Sequence, residues 1–217
     1  MSAQLYFVSG IDTGIGKTYT TGYLAKLWNQ QGLRTITQKL VQTGNIDVSE
    51  DIEVHRQVMG MGWFVEDQEK LTMPEIFSYP ASPHLASQID GREIDFSKIS
   101  AATEQLAQRY DAVLLEGAGG LMVPLTQDML MIDYIAQYDF PVILVSSGRL
   151  GSINHTLLSL EAMLARGLKL HALAYNLKDE SQDKLISDDT RQYLHNYVAR
   201  HFPEAHWIDI PVLAVAE

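Results

Sequence analysis

A chain of 217 residues with a hydrophobic fraction of 46% and a charged fraction of 20% has ordinary globular composition and enough length to bury roughly 70% of the surface its unfolded form exposes. Its formal charge of −11 disfavours a nucleic-acid partner, whose phosphates demand a surplus of lysine and arginine. The lack of any cysteine excludes disulfides, thiolate metal sites, iron–sulfur ligation and cysteine nucleophiles together, and no apolar run of about eighteen residues is present to cross a membrane.

Met1-Ser2-Ala3-Gln4 enters a strand pattern with no basic start or apolar leader, so a cytoplasmic location is expected. Residues 4 to 9 form a short apolar run, suited to a strand buried on both faces. A glycine-bearing loop follows, and from Lys17 the residues Tyr23, Leu24, Leu27 and Trp28 recur at helical spacing up to Gly32, placed as a C-terminal cap. The same grammar predicts a strand over 34–41 and helices over 49–61 and 97–109. Beyond them it predicts strands over 112–115 and 141–146, a helix over 153–165, a strand over 170–176 and a helix over 183–200. Residues 65 to 92, with Pro74, Pro80 and Pro83, are the least regular and read as a covering loop or part of a site. No repeat, linker or low-complexity tract marks a boundary, so one domain over 1–217 is expected. The fold class is α/β: three layers, with a mostly parallel central sheet and helices on both faces.

The strongest local signal is Gly10-Ile11-Asp12-Thr13-Gly14-Ile15-Gly16-Lys17-Thr18 between a strand and a helix. Glycines let the backbone curl its N–H groups toward phosphates, the helix N-terminus adds a favourable dipole, Lys17 reaches the β and γ phosphates, and Thr18 offers a hydroxyl to Mg²⁺. Five residues separate Gly10 from Gly16, one more than in the common pattern. ATP with Mg²⁺ is the expected ligand.

Four blocks then narrow the family. Gly-Ile-Asp-Thr-Gly-Ile-Gly-Lys-Thr at 10–18 resembles the signature of dethiobiotin synthetases, including its spacing. Lys39-Leu40-Val41-Gln42-Thr43-Gly44, Glu116-Gly117-Ala118-Gly119-Gly120 and Leu150-Gly151-Ser152-Ile153-Asn154-His155 resemble further blocks of that family in the same order, with Ser82-Pro83-His84 a weaker fifth. Leu40 replaces the usual proline, and Gly14 stands where an acidic residue is common.

The resemblance implies a phosphate-loop NTPase-like fold and a homodimeric ligase of biotin biosynthesis. It would convert 7,8-diaminononanoate, CO₂ (supplied as bicarbonate) and ATP to dethiobiotin, ADP and phosphate. Carried over residue by residue, Lys39, Lys17 and Thr13 are the catalytic candidates. ATP would be held by Asp12, Thr13, Gly14, Ile15, Gly16, Lys17, Thr18, Tyr19, Asp51, Glu116, Gly119, Asn176 as base reader, and Pro211. The substrate would meet Thr13, Lys39, Thr43, the helix start Gly151, Ser152, Ile153 and Asn154, and Tyr193 of the partner subunit, although a helical tyrosine more often serves packing. Mg²⁺ would be held by Thr18, Glu116 and Asp51, with Glu50 the alternative to Asp51 because both lie in one acidic helix start.

Two other readings stay open. Partition-type switch ATPases carry a lysine five positions before the loop lysine, where this chain has Asp12, which disfavours them. A catalytically idle, nucleotide-binding interaction protein of the same fold is the other.

Overall fold

The computed structural model describes residues 3–179, 181 and 183–212. β1 (Gln4–Gly10) passes through the phosphate loop into α1 (Lys17–Gln30), and β2 (Thr35–Lys39) follows. The chain then forms β3 (Gln42–Thr43), α2 (Glu50–Met59), α3 (Val65–Gln68), β4 (Ile76–Phe77), α4 (Pro83–Ile89) and α5 (Phe96–Arg109). β5 (Ala112–Gly120), α6 (Met131–Gln137), β6 (Val142–Ser147), α7 (Ser152–Ala165), β7 (Leu170–Asn176), a 3₁₀ turn at Leu177–Asp179, α8 (Lys184–His201) and β8 (His206–Ile210) complete it.

The main sheet runs β2-β5-β1-β6-β7-β8 with every pairing parallel. Its central strands are buried along nearly their whole length, which explains their unbroken Val, Ile and Leu content. Because parallel crossovers are right-handed, α1, leading from β1 outward to β2, covers the opposite face from α7 and α8, which lead the other way to β7 and β8. The expected three layers are therefore realised. Chain direction reverses about β1, and the crevice beyond the C-terminal ends of β1, β5 and β6 is where open α/β sheets hold ligands.

Three boundaries depart from the pattern reading. The strand expected over 34–41 stops at Lys39, because the chain leaves the main sheet and pairs as β3 with β4. β5 continues past Leu115 through Glu116 to Gly120, carrying the acidic residue inside the sheet. α6 and β8 lack a readable period, the first having only two turns and the second being a half-exposed edge strand. Within 65–92, the backbone caps β2 and β3: Lys39 N–H donates to Thr72 O (2.8 Å) and Gln42 N–H to Glu75 O (2.9 Å).

α2 starts at the Ser49 cap, whose hydroxyl accepts the Ile52 N–H, and ends at Gly60. Its buried Arg56 forks onto Asp67 with two bonds of 2.8 and 2.7 Å and lies over the Phe64 ring, tying the helix to α3. Burial opposes ionisation of Asp67, but the guanidinium more than compensates and holds its pKa below the ordinary value. Gly22 lets α1 approach α2 closely, since a Cβ there would stand 3.1 Å from the His55 Cα and 3.0 Å from the Val58 Cβ. Glycine inside a helix costs about 1 kcal/mol relative to alanine, so close packing is the reason for its presence. Gly22→Leu is expected to lower stability by about 1–3 kcal/mol, read as a reduced Tm; an unchanged Tm would mean that the two helices can separate freely.

Candidate functional site

The phosphate loop is held in shape from outside. Asn176, at the end of β7, donates its amide Nδ2–H to the Ile15 carbonyl (2.9 Å) and accepts the Lys178 N–H on Oδ1 (3.0 Å). Gly16 has φ 96°, and a Cβ there would fall on the Asn176 amide nitrogen, so glycine is required on two counts. At the crown, Asp12 Oδ1 accepts the Thr13 N–H (2.7 Å), and Asp12 Oδ2 meets Arg149 Nη2 at 2.5 Å. Arg149 also lies 3.7 Å from Asp179, whose carboxylate accepts the Ser147 hydroxyl at 2.7 Å.

Below the loop, four elements bring their polar groups to one corner. Thr18 of α1 donates its hydroxyl toward Asp51 Oδ1 (2.8 Å), with Glu116 Oε1 at 3.3 Å. Lys39, from the end of β2, places its ammonium against Glu116 Oε1 (2.9 Å), the Gly117 carbonyl (3.1 Å) and Asp51 Oδ2. Glu116 has no exposed surface, and its Oε2 receives His55 Nε2 at 2.8 Å. Burial alone would raise the Glu116 pKa, but Lys39 and His55 outweigh it and hold the carboxyl well below the usual range. Burial likewise works against the Lys39 ammonium, and the Glu116 and Asp51 charges overcome it, leaving its pKa raised. Lys17 is pushed below its ordinary value, chiefly by burial.

Two carboxylates and a hydroxyl in one corner form the hard-oxygen donor set that Mg²⁺ takes, and Asp51, not Glu50, is the acidic residue that joins it. Among the described residues there is no cluster of three His, Cys, Asp or Glu side chains placed to hold a metal by itself.

Three cavities open along the phosphate loop, and the first of them reaches this corner through Thr18 and Asp51. The first, of about 510 Å³, is lined by Gly14, Gly16, Lys17, Thr18, Tyr19, Asp51, Asn176 and Pro211, all anticipated for ATP, and also by Glu50, Val54, Lys178, Asp179 and Ile210. The second, of about 440 Å³, is lined by Thr13, Thr43, Gly119 and the turn Pro80–Pro83, which includes the Ser82 block. The third, of about 400 Å³, involves Asp12, Thr13, Gly120–Val123 and the second turn of α7 at His155, Leu158 and Ser159.

Some anticipated residues lie apart. Ile15 and Glu116 are fully buried behind the first cavity. Gly151, Ser152, Ile153 and Asn154 line none of the three cavities, and the Ser152 hydroxyl is turned inward to Ser147 at 3.1 Å. Tyr193 is exposed on α8 and also lines none of them. Asn176 faces the first cavity with both ends of its amide already engaged. Sequence reasoning misses His55 and Arg149. The first stands one helical turn after Asp51 on the same face, and the second directly precedes the Leu150–His155 block, signals visible once those anchors are known.

If Asn176 holds the loop in its binding shape, Asn176→Ala is expected to weaken ADP binding about tenfold, the equivalent of one lost hydrogen bond to the loop. Calorimetric titration reads it directly, and wild-type affinity would show that the loop keeps its shape unaided.

Known proteins resemble this chain over most of its length. The profile of a family described as an AAA domain matches residues 4–215. The chain is 47% identical to ATP-dependent dethiobiotin synthetase BioD 2 of Pasteurella multocida over 93% of this chain and 94% of that protein. It is 50% identical to ATP-dependent dethiobiotin synthetase BioD of Chlorobaculum tepidum over 97% and 88%. Among solved structures, ParA of pNOB8 bound to nonspecific DNA superposes with a TM-score of 0.56 at 15% identity, covering 95% of this chain and 79% of that one. Chloroplast FtsY from Physcomitrella patens gives 0.51 at 16%, covering all of this chain but 60% of that one, so this chain spans less than two thirds of FtsY. At such identities the structural likeness concerns the fold alone. By its extensive identity to the curated relatives, the chain belongs to the ATP-dependent dethiobiotin synthetase family.

Proposed function

We propose that this chain, acting as one catalytic unit, closes the cyclic urea of dethiobiotin from 7,8-diaminononanoate, CO₂ and ATP. The observation that carries the reading is the gathering of buried Lys39 and Glu116 behind Thr18 and Asp51, which with Lys17 line the first cavity at the phosphate loop. Thr13, which directly precedes Gly14 in that loop, lines the second cavity.

In this reading one amine of the diamine adds to CO₂ and loses a proton to give a carbamate. A carbamate oxygen attacks the γ-phosphorus, the bond to ADP breaks, and a carbamic–phosphoric anhydride forms. The second amine attacks its carbonyl carbon and expels phosphate, which closes the ring. No covalent enzyme intermediate is needed, so positioning and positive charge do the catalysis. The loop N–H groups from Gly14 to Thr18 and Lys17 hold the phosphates. Lys39 neutralises the carbamate and the γ-phosphoryl oxygens. Thr13 and Thr43, facing the 440 Å³ cavity, orient the diamine and its carbamate. Mg²⁺, held by Thr18, Asp51 and Glu116, would supply charge neutralisation at the phosphates.

Tyr19 and Pro211 flank the adenine side. Because the Asn176 amide already secures the loop, its remaining N–H is what it has to offer the base. The substrate carboxylate is assigned to the start of α7, at Gly151–Asn154, in a homodimer in which Tyr193 of the partner subunit contributes. Among the described residues no helix is long and apolar enough to cross a membrane, and a cytoplasmic setting is part of the proposal.

Purified protein given ATP, Mg²⁺ and bicarbonate is expected to release ADP only when 7,8-diaminononanoate is added, with dethiobiotin identified by mass. Lys39→Ala should lower kcat about 10²–10³-fold with little change in the KM for ATP, the loss expected on removing one preorganised charge. ADP release indifferent to the diamine would move the chain to the nucleotide-switch class, and normal turnover by Lys39→Ala would remove that residue from the chemistry.

A further inference from the structure

His55 has no exposed surface, lines none of the three cavities and is named in no part of the proposed reaction. Both ring nitrogens are nevertheless committed. Nε2 stands 2.8 Å from Glu116 Oε2, and Nδ1 stands 3.0 Å from the Thr37 hydroxyl. That hydroxyl already accepts Arg56 Nη1–H at 2.8 Å, and Arg56 is anchored by its fork on Asp67. With Arg56 donating to it, Thr37 can direct its own single proton at Nδ1, which puts the ring proton on Nε2 and aims it at Glu116.

We infer that His55 is a positioning residue: it holds Glu116 Oε2 so that Oε1 is presented to Thr18 and Lys39 at the divalent-cation corner. This rests on the reading of Thr18, Asp51 and Glu116 as that corner. A buried carboxylate can rotate about its terminal torsion, and a ligand oxygen that wanders loses affinity by having to be ordered when the ion enters. The Asp67–Arg56–Thr37–His55 chain removes that freedom from Glu116 and carries the constraint back to α3. Partners that orient ligating groups in this way are worth about 10–100-fold in metal affinity.

The test is a Mn²⁺ titration followed by electron paramagnetic resonance, in the presence of ADP, alongside Tm without metal. His55→Leu is expected to weaken Mn²⁺ binding about tenfold or more. His55→Gln, whose side-chain amide can donate from near the place of Nε2, should recover most of that loss. Thr37→Val, which removes the hydroxyl behind the ring, should fall between them. A purely structural histidine would lower Tm in all three variants without this ordering of affinities. A folded His55→Leu with wild-type Mn²⁺ affinity, or a His55→Gln as weak as His55→Leu, overturns the inference. If His55→Leu does not fold, unchanged affinity in Thr37→Val overturns it instead. Failure of the underlying metal reading looks different: wild-type protein itself would show no Mn²⁺ site sensitive to Asp51→Asn, and the inference would fall with it.

Discussion

Glu116 carries its charge at a point of the sheet with no access to water, where desolvation of an isolated carboxylate would cost several kcal/mol. Lys39 and His55 make the charged form tenable, and each comes from a different element, β2 and α2. Thr18 from α1 completes the ring of partners. Three elements are thus held to one carboxylate on β5, so the placement of the nucleotide corner and the packing of α1 and α2 on the sheet follow from a single electrostatic requirement. The close approach at Gly22 serves the same end, because it brings His55 on α2 near enough to β5 to be used.

The order of strands explains why two cavities lie side by side. β1 is flanked by β5 and β6, so the loop leaving β1 has the Glu116–Gly120 run on one side and the β6–α7 turn on the other. The residues lining the 440 Å³ cavity come from the phosphate loop, β3 at Thr43, the end of β5 with Val123 beyond it, and the 80–83 turn, which reaches over from the irregular segment. That segment is fixed by backbone bonds to β2 and β3 and by the Arg56–Asp67 fork, which makes it a wall and not a free loop. A phosphoryl donor in the first cavity and an acceptor in the second would share the crown of one loop, an arrangement suited to in-line transfer between them.

Much of this was legible in the residues. Gly10–Thr18 specifies a strand, turn and helix by chemistry that few other folds need, and the buried strands announce themselves by unbroken apolar runs. Asp51 and Glu50 were indistinguishable in one dimension, since both improve an acidic helix start. Only the direction of the helix shows that Asp51 faces Thr18 and Lys39. His55 hides for the opposite reason: a polar residue whose partners are 61 and 18 positions away in the chain leaves no local pattern. Arg149 is similar, as its pairing with Asp12 spans 137 positions. α6 and β8 escaped because two turns of helix, or five residues at a sheet edge, are too short to establish a period.

The central place of β1 also bears on how the protein is made. Gln4 pairs with Ala112 and Phe7 with Val142, so β1 has neither sheet neighbour until about a hundred further residues have been made. At a synthesis rate of about 5–20 residues per second, that interval lasts roughly 5–20 s. For that time an apolar strand and its phosphate loop are exposed with both edges open, the condition under which nascent chains aggregate or engage chaperones. The topology that sets the nucleotide loop at the middle of the sheet therefore leaves its surroundings incomplete until synthesis has passed β6.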